Sequence, residues 1–235
     1  MTRGRETEDL TRVEETGFDN IFWVQFEGKR HLGTKNLTPG RTYYGERTVR
    51  ENTVEYRLWD PYRSKLSAAI HKGLNYVPIK KGSYVLYLGA STGTTTSHVS
   101  DIVENGIVFG VEVSARVARE FVERVVKYRN NIIPIVSDAR YPQNYNVVFT
   151  AVDVLYSDIA QPDATDITID NARSYLKRGG YLVLVVKARS IDPIMSVPEI
   201  IDTEADKLKD AGFRILQIIN IAPFDREHGF ILSQF

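Results

Sequence analysis

The chain has 235 residues, of which 43% are hydrophobic, enough to build one good core and a small second one. Thirty Lys and Arg balance thirty Asp and Glu, so no excess positive field concentrates a polyanion, and any action on nucleic acid requires a local basic face or help in holding it. With no cysteine there is neither a disulfide framework nor a thiolate cluster, and His31, His71, His98 and His228 stand too far apart for ligand spacing, so a bound metal is not expected.

The first sixteen residues are polar and without period, which predicts a frayed terminus. They carry no apolar leader, and no later run is long enough to cross a bilayer, so a cytoplasmic protein without membrane contact is expected. Ile21-Phe22-Trp23-Val24-Gln25-Phe26 then reads as a strand, followed by the turn-like Glu27-Gly28-Lys29-Arg30 and by short extended segments at 41–44 and 55–58. Together they predict a small antiparallel β unit over residues 17–58, too small to stand alone. At Trp59-Asp60-Pro61 the pattern changes: Asp60 suits an N-cap, Pro61 the first helical turn, and Leu66, Ala69, Ile70 and Leu74 recur at helical spacing. The predicted division is therefore a β-rich domain over 1–58 and a second domain over 59–235.

From residue 81 strands and helices alternate. Strands are predicted at 84–88, 107–111 and 132–136, separated by helices marked by Val99, Ile102 and Val103 and by Val117, Phe121, Val122, Val125 and Val126. Further strands follow at 152–156, 181–186, 213–219 and 229–233, with helices at about 162–176 and 198–211. This is an α/β, Rossmann-like pattern: a seven-stranded mixed sheet with helices on both faces, behind the small antiparallel β domain.

The first of these strands runs into Gly89-Ala90-Ser91-Thr92-Gly93-Thr94-Thr95 and a helix, where glycine permits a sharp turn and close approach of a ligand. The spacing is neither that of a dinucleotide fingerprint nor that of a phosphate loop, which argues against a pyrophosphate. Glu112 ends the second strand about twenty residues later, where an acid accepts hydrogen bonds from ribose hydroxyls. Asp138 follows the third strand, in reach of an adenine amino group. Three successive strands thus deliver Gly89, Glu112 and Asp138 to one carboxyl edge, the edge at which open α/β sheets bind ligands. An adenosine-bearing cofactor fits, S-adenosylmethionine better than NAD.

The fourth strand ends in Asp158-Ile159-Ala160-Gln161-Pro162 and the fifth in Val186-Lys187-Ala188-Arg189-Ser190. A lysine closing so apolar a strand needs a partner, and Asp158 on the neighbouring strand end can supply it. The stretches Tyr56-Arg57-Leu58-Trp59-Asp60-Pro61-Tyr62-Arg63-Ser64-Lys65-Leu66, Tyr87-Leu88-Gly89-Ala90-Ser91-Thr92-Gly93-Thr94-Thr95, Ser97-His98-Val99-Ser100-Asp101, Asp158-Ile159-Ala160-Gln161-Pro162 and Lys187-Ala188-Arg189-Ser190-Ile191-Asp192 resemble, in this order, the signature stretches of the fibrillarin family.

That resemblance implies methyl transfer from S-adenosylmethionine to a ribose 2′-hydroxyl of ribosomal or transfer RNA. It implies cofactor contacts at Gly89, Ala90, Thr94, Thr95, Glu112, Val113, Asp138, Ala139, Asp158, Ile159, Ala160 and Gln161, and a catalytic group of Lys65, Asp158, Lys187 and His228. Val113 stands where the family often has Phe, and the glycine- and arginine-rich tail of eukaryotic members is missing, so the archaeal form is the one resembled. A ribose hydroxyl is a poor nucleophile that needs alignment and loss of its proton. The expected roles are Lys187 as base or hydroxyl-orienting group, Asp158 positioning it, Lys65 as a second cation favouring its neutral form, and His228 in proton disposal.

The family also implies partners: a C/D box guide RNA that pairs with the target, a Nop-domain scaffold protein, and a kink-turn-binding ribosomal-protein-like subunit. The β unit or the adjoining helix is the expected docking face, and Arg41, Arg47, Arg50, Arg57, Arg63 and Lys65 form a candidate basic strip for RNA. Three rival readings remain at this point: a stand-alone RNA 2′-O-methyltransferase, a non-catalytic ribonucleoprotein scaffold, and an NAD-dependent oxidoreductase disfavoured by the glycine spacing.

Overall fold

The computed structural model describes residues 11–145 and 147–235, so the first ten residues of the terminus expected to fray lie outside them. Residues 12–15 of that terminus are a strand. The N-terminal unit is a five-stranded antiparallel sheet made of β1 (Arg12–Glu15), β2 (Ile21–Phe26), β3 (Lys29–Lys35), β4 (Thr48–Glu51) and β5 (Val54–Leu58), in the order β1-β2-β3-β5-β4. β1 pairs along β2, and Val13 N also donates to Glu51 Oε1 at 2.9 Å, so its backbone finds partners that its own polar sequence does not advertise. Residues 41–44 are a turn rather than the expected strand. The Glu46 carboxylate accepts from Tyr43 N at 3.0 Å and Tyr44 N at 2.8 Å, closing the chain on itself before β4 begins.

The expected N-cap at Asp60 moves as well. Asp60 Oδ1 accepts from Tyr62 N at 2.8 Å in a local turn, and α1 (Lys65–His71) starts five residues later behind Ser64. Beyond it lies a seven-stranded mixed sheet of β6 (Tyr84–Leu88), β7 (Ile107–Glu112), β8 (Ile132–Val136), β9 (Val152–Ser157), β10 (Leu176–Lys187), β11 (Arg214–Asn220) and β12 (His228–Gln234), in the order β11-β12-β10-β9-β6-β7-β8. Among the described residues, β12 alone runs opposite to the other six strands. The interleaved helices are α2 (Thr94–Val103), α3 (Ala115–Arg124), α4 (Ala164–Tyr175), the single turn α5 (Ala188–Ile191) and α6 (Val197–Asp210). No helix among the described residues is long and apolar enough to cross a membrane.

Strand alternation divides the core into two layers. Val85 and Tyr87 of β6 and Val183 and Val185 of β10 pack with α1, α2 and Phe121 of α3, while Leu86, Leu88, Leu182 and Leu184 pack with α4 and α6. Each such fully buried aliphatic side chain contributes about 1.5–3 kcal/mol. Ile21 and Leu32 of the N-terminal sheet belong to the first layer, so the small sheet is sealed onto the large one rather than tethered to it.

A buried polar network makes the same junction. Arg57 on β5 is fully buried; its guanidinium pairs with Glu46 at 2.6 Å and with Asp101 Oδ2 of α2 at 2.8 Å. Arg129 pairs with the other oxygen of Asp101 at 2.6 Å. Thr34 donates its hydroxyl to Asp101 Oδ2 at 2.8 Å and accepts from His98 Nδ1 at 2.8 Å, leaving His98 Nε2 to accept from the Tyr44 hydroxyl at 2.7 Å. Burial, with Arg57 and Arg129 nearby, holds the His98 imidazole well below its usual range and hence neutral. Of the candidate basic strip, Arg57 lies inside the junction, while Arg47 and Arg50 stay exposed and pair with Glu27 and Glu55, and Arg41 lies over the Tyr128 ring at 3.5 Å.

Candidate active site

The strand order turns back at β6, whose neighbours β7 and β9 lead to helices on opposite faces of the sheet, and a crevice at the carboxyl edge follows from that reversal. A cleft of about 290 Å³ lies there. Its wall is built from the tips of β6 to β10: Gly89, Glu112, Val113, Asp138, Ala139, Asp158, Ile159, Ala160, Gln161 and Lys187 all line it. Ala90, Thr94 and Thr95 do not. Thr95 is buried, its hydroxyl donating to Ser64 Oγ at 3.0 Å, where it ties the first turn of α2 to the start of α1.

Gly89 has φ +82°, and a Cβ there would stand 2.8 Å from the Asp158 carbonyl oxygen, so a side chain is excluded by both conformation and space. Gly93, at φ +94°, is excluded in the same way by Phe121 and Val125, which lets α3 close on the start of α2. The Glu112 carboxylate is fixed by two backbone amides, Ser91 N on Oε2 at 3.0 Å and Ser114 N on Oε1 at 2.9 Å. Each oxygen keeps a further acceptor position, which matches the two hydroxyls of a ribose. Val113, 61% exposed, offers an apolar edge at the mouth, and Ala139, Ile159 and Ile167 continue it.

Sequence reasoning missed the residue that braces this end. Arg140 donates its backbone N–H to Asp138 Oδ1 at 2.9 Å and its guanidinium to Asp138 Oδ2 at 3.2 Å and to Gln161 Oε1 at 2.8 Å. It therefore spans the cleft from the exit of β8 to the loop after β9. Asn171 of α4, equally unforeseen, is buried and donates to the Ala139 carbonyl at 2.8 Å, fixing the backbone that an adenine edge would meet. Adjacency to Asp138 was the only available signal for Arg140; for Asn171 there was none.

At the other end, Lys187 Nζ lies 2.9 Å from Asp158 Oδ1 and donates to the Asp158 carbonyl at 2.7 Å. Lys65 Nζ lies 3.5 Å from the same Oδ1, so one carboxylate stands between two ammonium groups, all three side chains being largely buried. His228 is the Cα partner of Lys187 across the β10–β12 pair, and its Nδ1 contacts Asp225 Oδ1 at 2.5 Å. Lys65, Asp158 and Lys187 thus meet in one cluster built by β9, β10 and the start of α1, while His228 stands beside Lys187 in the strand pair with its own side-chain contact to Asp225. Beneath them Tyr87 and Tyr156 stack at 4.5 Å, fully buried, where burial and the nearby Asp158 charge keep both phenols protonated. A fixed carboxylate for a sugar diol, an apolar slot for a base and a lysine–carboxylate pair form one continuous wall, which fits an adenosine-bearing cofactor with its reactive end toward Lys187.

Comparison with known proteins agrees in extent as well as in kind. The fibrillarin family model matches residues 13–235. The fibrillarin-like rRNA/tRNA 2′-O-methyltransferase of Sulfurisphaera tokodaii is 51% identical over 229 residues, covering 97% of this chain and 98% of that protein. Aeropyrum pernix fibrillarin in complex with natively bound S-adenosyl-L-methionine superposes with a TM-score of 0.87 at 43% identity, covering 95% of this chain and 100% of that one. The fibrillarin of a fibrillarin/Nop5p complex superposes with a TM-score of 0.84 at 37% identity, covering 94% and 100% of the two chains.

Proposed function

The chain belongs to the fibrillarin family, and from that membership we propose that it transfers a methyl group from S-adenosylmethionine to the ribose 2′-hydroxyl of ribosomal and transfer RNA. The observation that carries the chemistry is the pairing of Lys187 with Asp158 at the inner end of a cleft whose outer end is shaped for adenosine.

When bound, S-adenosylmethionine supplies an electrophilic methyl on a sulfonium. The protein supplies position. Glu112 holds the cofactor ribose, Asp138 and the Ala139 backbone meet the adenine edge, and Gly89 lets the cofactor lie against the sheet. Lys187, pinned by both the carboxylate and the carbonyl of Asp158, keeps an N–H bond for the substrate oxygen and aligns a lone pair of the 2′-hydroxyl for in-line attack. As an ion pair with Asp158 it acts as a hydroxyl-orienting group rather than a free base. Lys65, on the same carboxylate, fixes the third corner of the group. His228, across the strand pair and oriented by Asp225, receives the departing proton and passes it to solvent.

Base pairing with a C/D box guide RNA would select the nucleotide, since the chain carries no net charge to hold RNA unaided. A Nop-domain scaffold and a kink-turn-binding ribosomal-protein-like subunit complete the proposed particle, which we place in the cytoplasm. We assign partner docking to the 1–58 unit and the adjoining helix, and chemistry to 59–235. Transfer of radiolabelled methyl groups from S-adenosylmethionine to target RNA, with and without guide RNA and partner proteins, tests the whole reading. Nuclease digestion should recover 2′-O-methyl nucleotides only with the guide present. Labelling without guide assigns a stand-alone enzyme, and no labelling in the complete particle removes the catalytic reading.

A further inference from the structure

The turn that carries β6 into α2 alternates left-handed residues: Gly89 at φ +82°, Ser91 at φ +50° and Gly93 at φ +94°. At the two outer positions conformation and space agree, because a Cβ would stand 2.8 Å from the Asp158 carbonyl oxygen at residue 89 and 2.6 Å from the Phe121 ring at residue 93. The middle position takes the same backbone region yet carries a side chain, where glycine would avoid crowding between Cβ and the carbonyl. Four other described residues besides glycine have positive φ. Asn20, Glu27 and Asn52 lie in the turns between β1 and β2, β2 and β3, and β4 and β5, and Glu104 ends α2. Of these five, Ser91 is the one that lines the cofactor cleft.

The backbone of Ser91 is engaged and its side chain is not. Its amide donates to Glu112 Oε2 at 3.0 Å, while among the described residues the hydroxyl has no protein partner. A sugar hydroxyl bound to the same Oε2 gives that oxygen its proton and keeps two lone pairs, so it can still accept a hydrogen bond. The Ser91 amide and that sugar hydroxyl share one carboxylate oxygen, which sets them within roughly 6 Å of each other. Serine supplies there the donor that the flanking glycines lack.

We propose that the Ser91 hydroxyl is a further cofactor contact, donating to the ribose hydroxyl that Glu112 Oε2 holds, so that one sugar oxygen is gripped by a serine–glutamate pair. The inference rests on the S-adenosylmethionine reading of the cleft. It accounts for a side chain at a position where the backbone favours glycine, since the strain is kept for the sake of a ligand rather than of the fold. The contact makes the site selective for a sugar with that hydroxyl in place. It acts on cofactor binding rather than on methyl transfer, because Lys187 and Asp158 lie at the inner end of the cleft.

Calorimetric titration of the full chain with S-adenosylhomocysteine and with its 2′-deoxy and 3′-deoxy ribose analogues tests this without turnover. Ser91→Ala, which keeps the Cβ and the backbone conformation, should weaken S-adenosylhomocysteine about three- to tenfold, the loss of one hydrogen bond. With the deoxy analogue that lacks the hydroxyl on Oε2 the substitution should change nothing, and with the other it should show the full factor. Ser91→Gly should bind as weakly as Ser91→Ala, while the Tm of the ligand-free protein holds or rises. A smaller loss in Ser91→Ala overturns the proposal. So does an equal loss with all three ligands, because a turn that is merely disturbed does not discriminate between sugar oxygens. A Ser91→Gly protein with a lower Tm than wild type assigns the side chain to the fold and overturns it as well. A wild-type chain that binds none of the three ligands removes instead the cofactor reading on which the inference rests.

Discussion

Lys187 and His228 face each other as Cα partners across the one antiparallel junction that the sheet makes beside its cleft. β12 runs against β10, so the last residue of a strand that ends at the site meets the first residue of a strand that begins there. This geometry gives the two side chains unequal duties. Lys187→Ala should lower methyl transfer by about 10²–10⁴-fold with S-adenosylmethionine affinity little changed, and His228→Ala should lower it about tenfold. Single-turnover rates beside calorimetric titrations of the cofactor check both; equal losses would put His228 on the reacting oxygen.

Gly89 is a conformational requirement of the site as well as a turn residue. In Gly89→Ala the added methyl would press on the Asp158 carbonyl, and the left-handed backbone would be strained by about 1–2 kcal/mol. The main effect should be displacement of the Lys187 partner: a fall of a few degrees in Tm and a loss of methyl transfer of at least about tenfold. A variant with the same modest Tm fall but full activity would show that Asp158 tolerates the shift.

The Arg140 bridge predicts a separation between stability and affinity. Its ion pair with Asp138 is 43% exposed on the arginine side, so for stability it is worth at most about 1 kcal/mol. Yet it connects Asp138 with Gln161 across the adenosine end. Arg140→Ala should weaken cofactor binding about tenfold, roughly 1.4 kcal/mol, while kcat at saturating cofactor is retained. An unchanged Kd would reduce the bridge to a surface contact.

His98 makes stability depend on pH with a definite sign. Folded, it is held neutral by burial and two arginines; unfolded, it titrates near pH 6.5. Above that pH the two states bind the same number of protons. Below it only the unfolded state takes one up, so unfolding becomes easier by up to about 1.4 kcal/mol per pH unit from this residue, with His31 and His71, depressed in the same direction, adding to it. Urea unfolding at pH 7.5 and 5.5 should show the fall. His98→Gln should be less stable at both values but with a smaller difference between them, and an unaltered difference would assign the effect to other groups.

The large sheet was legible because its strands are nearly continuous runs of Val, Leu and Ile, and because glycine, glutamate and aspartate at successive strand ends share one edge. Lys187 announced its need for a partner by closing such a run. The small sheet was harder. Lys29–Lys35 reads as polar, yet Thr34 in it is buried because its hydroxyl serves Asp101 and His98 across the junction. Arg57 and Asp101 likewise look like surface charges on a strand and a helix until the other element is placed beside them. Local pattern reports which way a strand faces; it does not report which distant charge will neutralise a buried one. Arg57 was placed in a surface strip for that reason.

The arginine at the end of β5 also orders events in time. As the polypeptide leaves the ribosome, the first sheet emerges with Arg57 while Asp101 is still more than forty residues from synthesis. Glu46 alone must neutralise the guanidinium until α2 arrives, so the early sheet cannot bury its last strand and stays open, guarded or reversible, at that stage. A nascent chain arrested short of α2 should therefore remain protease-sensitive at β5, and a fragment beginning at Trp59 would keep the Asp101–Arg129 pair but lose the Arg57 and Thr34 donors that serve the other Asp101 oxygen.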